Sequence, residues 1–305
     1  MKKITLALLL PLALAGAAQA KEGGDQYPNG AEAREMVGAL PPPGDYFINY
    51  AGYYSGTLRD GSGDKVRFGG REAKVNATFD ALRYIKVTHT KILGADWGWH
   101  VIVPLVHQSM DFPPLGGRGS RSSVGDITID PLVLGWHFGD WHAIAGLDIN
   151  LPTGHFDKDD SRKSVGANYY SYEPVLALTY RNQSGFEGSI KLMYNIKTKN
   201  QDTDYQSGDE FHFDYWVGQH QGPWAYGLGG YYLKQTTDDK YKGRSVAAVD
   251  GVYDEGRRGQ VFAIGPSLSY TSKGGISFIG QWQHETMVEN RFAGDKFYFK
   301  LITAF

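Results

Sequence analysis

Apolar and polar residues alternate with period two from Tyr46 to the terminal Phe305, and beyond the first twenty residues no run of about 18 apolar residues occurs. Such a chain can cross a bilayer only as a closed β-barrel. In lipid every backbone amide and carbonyl needs a partner, and an open sheet leaves one edge without any. The alternation therefore predicts successive strands with one parity toward lipid and the other toward a lumen.

Tyr46, Ile48, Tyr50 and Tyr54 share one face of a first strand, and a second runs over about 74–89 after a Gly/Asp/Arg-rich loop. The third sets Trp97, Trp99, Val101, Val103 and Leu105 against Asp96 and His100. A loop is expected at 110–123. Strand four follows with Ile127, Ile129 and Val133, and Pro131, which lacks an N–H, points to a bulge there. Strands five to seven alternate in the same way, and later ones are expected near 210–220, 224–236, 260–271, 276–288 and 295–305. Connections mostly switch between short and long, as in outer-membrane barrels with short periplasmic turns. Twelve strands return the C-terminus to the side of the N-terminus. The fold class is thus all-β, a transmembrane antiparallel up-and-down barrel over 45–305.

Composition fits this reading. Forty glycines, twenty tyrosines, fifteen phenylalanines and seven tryptophans accompany a mean hydropathy of −0.39. Only alternate residues face lipid, so hydropathy stays low while aromatics gather at the interfaces. A soluble sandwich would bury more Val, Ile and Leu and expose fewer aromatic rings.

Lys2 and Lys3, an apolar run from Ile4 to Ala15 and then Ala18-Gln19-Ala20 form a signal peptide over 1–20 with an A-x-A cleavage site. Of the 31 basic residues these two lysines leave with it, so 29 face 33 acidic ones and no nucleic-acid surface is implied. There is no cysteine, hence no disulfide or thiolate chemistry. Residues 21–44, with Pro41-Pro42-Pro43-Gly44, form an N-terminal segment placed in the periplasm or in the lumen. A short helical pattern covers Ala31–Leu40.

If the apolar parity faces lipid, Asn49, Asp126, Asp130, Asp148, Asn150, Glu173, Arg181, Lys191, Asn195, Asp214 and Lys300 point into the lumen, with His212, Gln281, Gln283, Lys296 and Tyr298. Acids on strands four to six are expected to pair with bases on six and seven. The charges are mixed, unlike the Arg and Lys strips of an anion-selective pore. No G-x-S-x-G elbow occurs, and His284-Glu285 lacks the second histidine of a zinc-protease helix. His137 and His142 flank a turn, and the glycine pairs 69–70, 116–117 and 229–230 lack a nucleotide loop's context. No catalytic residue, cofactor or metal is therefore assigned. Phe297, Phe299, Leu301 and Phe305 share one parity. A final strand closing on an aromatic is the pattern that the barrel-assembly machinery reads.

Four segments carry a resemblance to the meta-pathway of phenol degradation family of outer-membrane proteins. They are Pro42-Pro43-Gly44-Asp45-Tyr46-Phe47, then Lys91-Ile92-Leu93-Gly94-Ala95-Asp96 leading to Val103-Pro104-Leu105. Gly125-Asp126-Ile127 through Pro131-Leu132 to Leu151-Pro152-Thr153-Gly154 is the third, and Gly166-Ala167-Asn168-Tyr169-Tyr170 with Glu173-Pro174 the fourth. The resemblance is clear over about 40–181. It implies a channel or uptake barrel associated with aromatic catabolism, embedded in outer-membrane lipid and lipopolysaccharide and handling a small solute. A structural or surface-binding barrel with a plugged lumen is the alternative.

Overall fold

The computed structural model describes residues 24–305, so the signal peptide and its cleavage site lie outside the described residues. Twelve long strands form the wall: β1 (Gly44–Leu58), β2 (Lys74–Ile92), β3 (Ala95–Phe112), β4 (Ile127–Phe138), β5 (Trp141–Leu151) and β6 (Ser171–Arg181). They continue with β7 (Phe186–Lys197), β8 (Glu210–Gln221), β9 (Trp224–Gln235), β10 (Gln260–Thr271), β11 (Ser277–Glu289) and β12 (Phe292–Ala304). Each pairs antiparallel with its chain neighbour. β12 pairs with β1 from Leu58–Phe292 to Tyr46–Ala304, which closes the barrel and removes both edges.

Tight turns at 93–94, 139–140 and 222–223 rest on positive φ at Leu93, Gly94, Gly139 and Gly222. Aromatic rings mark this rim: Trp141 lies 4.9 Å from Tyr180, Trp224 4.8 Å from Tyr270, and Tyr84 5.4 Å from Trp99. Such a girdle sits where the wall meets the bilayer interface. The opposite rim carries the long connections 59–73, 113–126, 152–170, 198–209 and 236–259. The β11–β12 turn on that rim is tight, through Asn290 at φ 52°.

The expected loop at 110–123 is largely strand. Gly117–Val124 folds back onto Leu105–Phe112 of β3, so this hairpin extends beyond the wall, and β4 meets only the Asp96–Ile102 half of β3. At Pro131 the register slips between Ile129 and Leu134. Asp130 stabilises this bulge by accepting from the amides of Leu132 at 2.8 Å and Leu147 at 3.0 Å, which the ladder leaves unpaired.

Residues 24–41 run inside the barrel. They form turns, with no helix at Ala31–Leu40. Local turns pair some of its backbone, as Ala31 with Pro28 and Ala33 with Gly30, and barrel side chains take many of the remaining polar groups.

Candidate functional site: a plugged lumen with an apolar wall

The interior is organised around that segment. Asp214 on β8 accepts from the Tyr27 hydroxyl at 2.6 Å and from the amides of Gly30 and Glu32 at 2.9 Å each. Thr179 takes the Gly38 amide at 2.9 Å, and Glu187 takes that of Met36 at 2.6 Å. The carbonyls face β11 and β12: Gln281 donates to Ala33, Gln283 to Gly30, Tyr298 to Asn29 and Lys300 to Ala31. At Gly38 an added Cβ would come within 2.6 Å of the Leu178–Thr179 backbone, so only glycine lets the segment lie this close to the wall.

Glu32 stands at the centre, bonded to Tyr50, to Arg83 at 3.0 Å and to Arg34 at 2.9 Å. Two guanidinium groups thus offset the cost of burying its charge.

Around this core, Asp126 accepts from Gln26 at 2.8 Å and from the amides of Gly154 and Ala167. Asn150 links Thr128 to Ser171. Glu173 accepts from Asn195 at 2.6 Å and meets His212 at 3.1 Å. Lys191 lies 4.0 Å from Asp148, and Lys300 is fully buried. Arg181 stands apart. It ends β6 at the short-turn rim and is exposed there, so the expected pairing of acids with Arg181 inside the lumen does not form. Asn49 differs too, since it bonds Asp80 on the outer surface while Ile48 and Tyr50 of β1 are buried.

His100, Asp130 and Asp148 bring ligand-type atoms within 4.8 Å of one another. Arg83 Nη2 lies 3.0 Å from His100 Nδ1, and a guanidinium only donates, so Nδ1 accepts and the proton sits on Nε2. That nitrogen faces Asp148 Oδ1 at 3.0 Å. Both Asp130 oxygens already accept amides. Arg83 and Asp148 thus flank His100, and on this arrangement neither ring nitrogen has a lone pair left for a metal ion.

Two of the spaces beside the segment lie along the β2 side of the lumen. The larger, about 270 Å³, opens toward the long loops and is walled on one side by Val75, Phe79, Ile102, Pro104, Val106 and Met110 of β2 and β3. Its other side is polar, with Asp126, Glu173 and Lys191 among its residues. A smaller space of about 70 Å³ lies toward the short turns beside Val37, Leu40, Ile85 and Val133. Glu32, Arg83, His100, Asp148 and Lys191 border both and divide them. The apolar wall was not expected, although Val75, Ala77, Ala81, Ile85 and Val87 alternate with Asn76, Thr78 and Asp80 in the sequence.

Closed strand pairing, an aromatic rim and a lumen filled by the chain's own N-terminal segment define a transmembrane β-barrel of twelve strands. The chain belongs to the family described as "Putative MetA-pathway of phenol degradation", whose model matches residues 55–301. Its fold is similar to the crystal structure of an outer membrane channel from Pseudomonas putida F1, at TM-score 0.73 and 13% identity over 89% of this chain and 99% of that one. The translocator domain of the autotransporter NalP from Neisseria meningitidis is similar at TM-score 0.50 and 10% identity, over 90% and 93%. No curated protein sequence matches.

Proposed function

We propose that this protein is an exported outer-membrane channel for a small hydrophobic or aromatic solute, with residues 24–41 as its gate. The observation that carries the reading is the apolar wall of β2 and β3. A lumen that only had to carry water and ions would gain nothing from burying Val75, Phe79, Ile102 and Met110 around an open cavity. The family's association with phenol degradation and the similarity to an outer membrane channel support it. No reaction is assigned to the barrel.

The segment itself favours a second reading, a structural barrel whose plugged lumen conducts nothing. Planar-bilayer conductance of the purified protein, joined to uptake of benzyl alcohol by a deletion strain, separates the two. Channel openings and slower uptake on deletion support transport. Silence in the bilayer with unchanged uptake overturns it in favour of the structural reading.

A further inference from the structure

We infer that the larger cavity selects by charge, accepting an uncharged or cationic ring and rejecting the same ring bearing a carboxylate. The inference rests on the solute reading above and names the ionisation state of that solute. Its wall carries seven carboxylate side chains against four cationic ones.

Each of the four cations is already engaged. Arg83 meets Glu32 at 3.0 Å, Arg291 meets Asp25 at 2.9 Å, Lys296 meets Glu285 at 3.3 Å, and Lys191 lies 4.0 Å from Asp148 and 4.8 Å from the centre of the Tyr27 ring. A solute carboxylate could bind only by taking a cation from its partner, leaving that partner buried and unpaired in a medium of low dielectric. Glu32 and Glu210 have further cationic partners behind the wall, Arg34 at 2.9 Å and Lys197 at 2.7 Å, whereas Asp126 is held by amide donors alone. A neutral ring needs no ionic partner and gains its contacts from Phe79, Ile102 and Met110. A ring with an ammonium group adds attraction to Asp126.

The test uses the full-length protein in detergent at neutral pH and three probes that share a benzyl or phenyl ring: benzyl alcohol, benzylamine and benzoate. Calorimetric titration of each is expected to show benzyl alcohol and benzylamine binding and benzoate weaker by about tenfold or more, a difference of specificity built from unpaired charge. Glu285→Gln, which releases Lys296 from its carboxylate, is expected to narrow that gap by strengthening benzoate. Its folding is checked by heat-modifiable migration in gels. Benzoate binding as well as the other two to the wild-type protein would overturn the charge inference and leave the solute reading standing. Failure of all three probes to bind would overturn both.

Discussion

Replacing Asp214 by Ala should loosen the N-terminal segment from the lumen. The side chain is fully buried and accepts three hydrogen bonds from that segment, two of them from the backbone amides of Gly30 and Glu32. A hydrogen bond to a charged group contributes roughly 1.5–3 kcal/mol, and an amide left buried without a partner costs about 1–3 kcal/mol. The three bonds share one carboxylate and do not add, so about 3 kcal/mol is a fair expectation for the whole site. That multiplies the undocked fraction by about 150. Hydrogen exchange in peptides covering 25–40 reads this directly, and bilayer recordings should show more frequent openings. Asp214→Asn keeps one acceptor oxygen and should lie between the two. Unchanged exchange in the Ala variant, with the barrel still heat-modifiable, would refute the claim that Asp214 holds the segment in place.

Two long connections should respond to acid in opposite directions. Burial raises Asp239 to about 6, even though Tyr205 and Gly208 donate to it, so its contribution to packing is largest below the ordinary carboxylate pKa and declines as pH rises through 6. The Arg162 side chain holds Asp160 down at about 2, so its contribution is present at neutral pH and declines as pH falls from about 4 toward 2. Protection from exchange, taken relative to the intrinsic rate at each pH, should therefore rise in the 236–259 loop between pH 7.5 and 5 while that in 152–170 stays level, and parallel changes in protection would contradict both assignments. Deleting Phe305, which is exposed and whose ring lies 6.3 Å from that of Tyr84, should reduce the yield of folded barrel more than a comparable change in 237–259. Equal yields would remove its role as an assembly signal. Mass spectrometry of the mature protein should find Lys21 at the N-terminus, and retention of residues 1–20 would count against export.

Strand order, closure and the bulge at Pro131 were legible because a wall between lipid and a polar interior writes period two into the chain. On β4 to β8 the rule that apolar means lipid holds well. There Asp130, Asp148, Glu173, Lys191 and Asp214 are buried inside. It fails on β1 and β2, where Ile48, Tyr50, Val75, Ala81, Ile85 and Val87 are the buried parity and Asn49 and Asp80 lie outside. Hydropathy cannot assign a face once part of the lumen is itself apolar. Residues 24–41 were illegible for a different reason. Their short turns are joined to the barrel through Asp214, Glu187, Gln281 and Lys300, partners far away in sequence, so no local period records where the segment lies.

The position of the larger cavity follows from the same bonds. Acceptors for the segment's amides come from β6, β7 and β8, while donors to its carbonyls come from β11 and β12. A peptide backbone inside a barrel must lie where both kinds of partner are within reach. β2 and β3 offer mostly Val, Ile, Ala and Pro at this depth, so the segment stays away from them and space remains along that wall. Glu32 ties the segment to β1 and β2, where it meets Tyr50 and Arg83. Glu32 also borders both cavities. A solute moving along the apolar wall would thus meet one polar crossing, built from Glu32, Arg83, His100, Asp148 and Lys191. On the channel reading proposed above, passage would call for displacement of these side chains, with Glu32 as the one contributed by the segment itself.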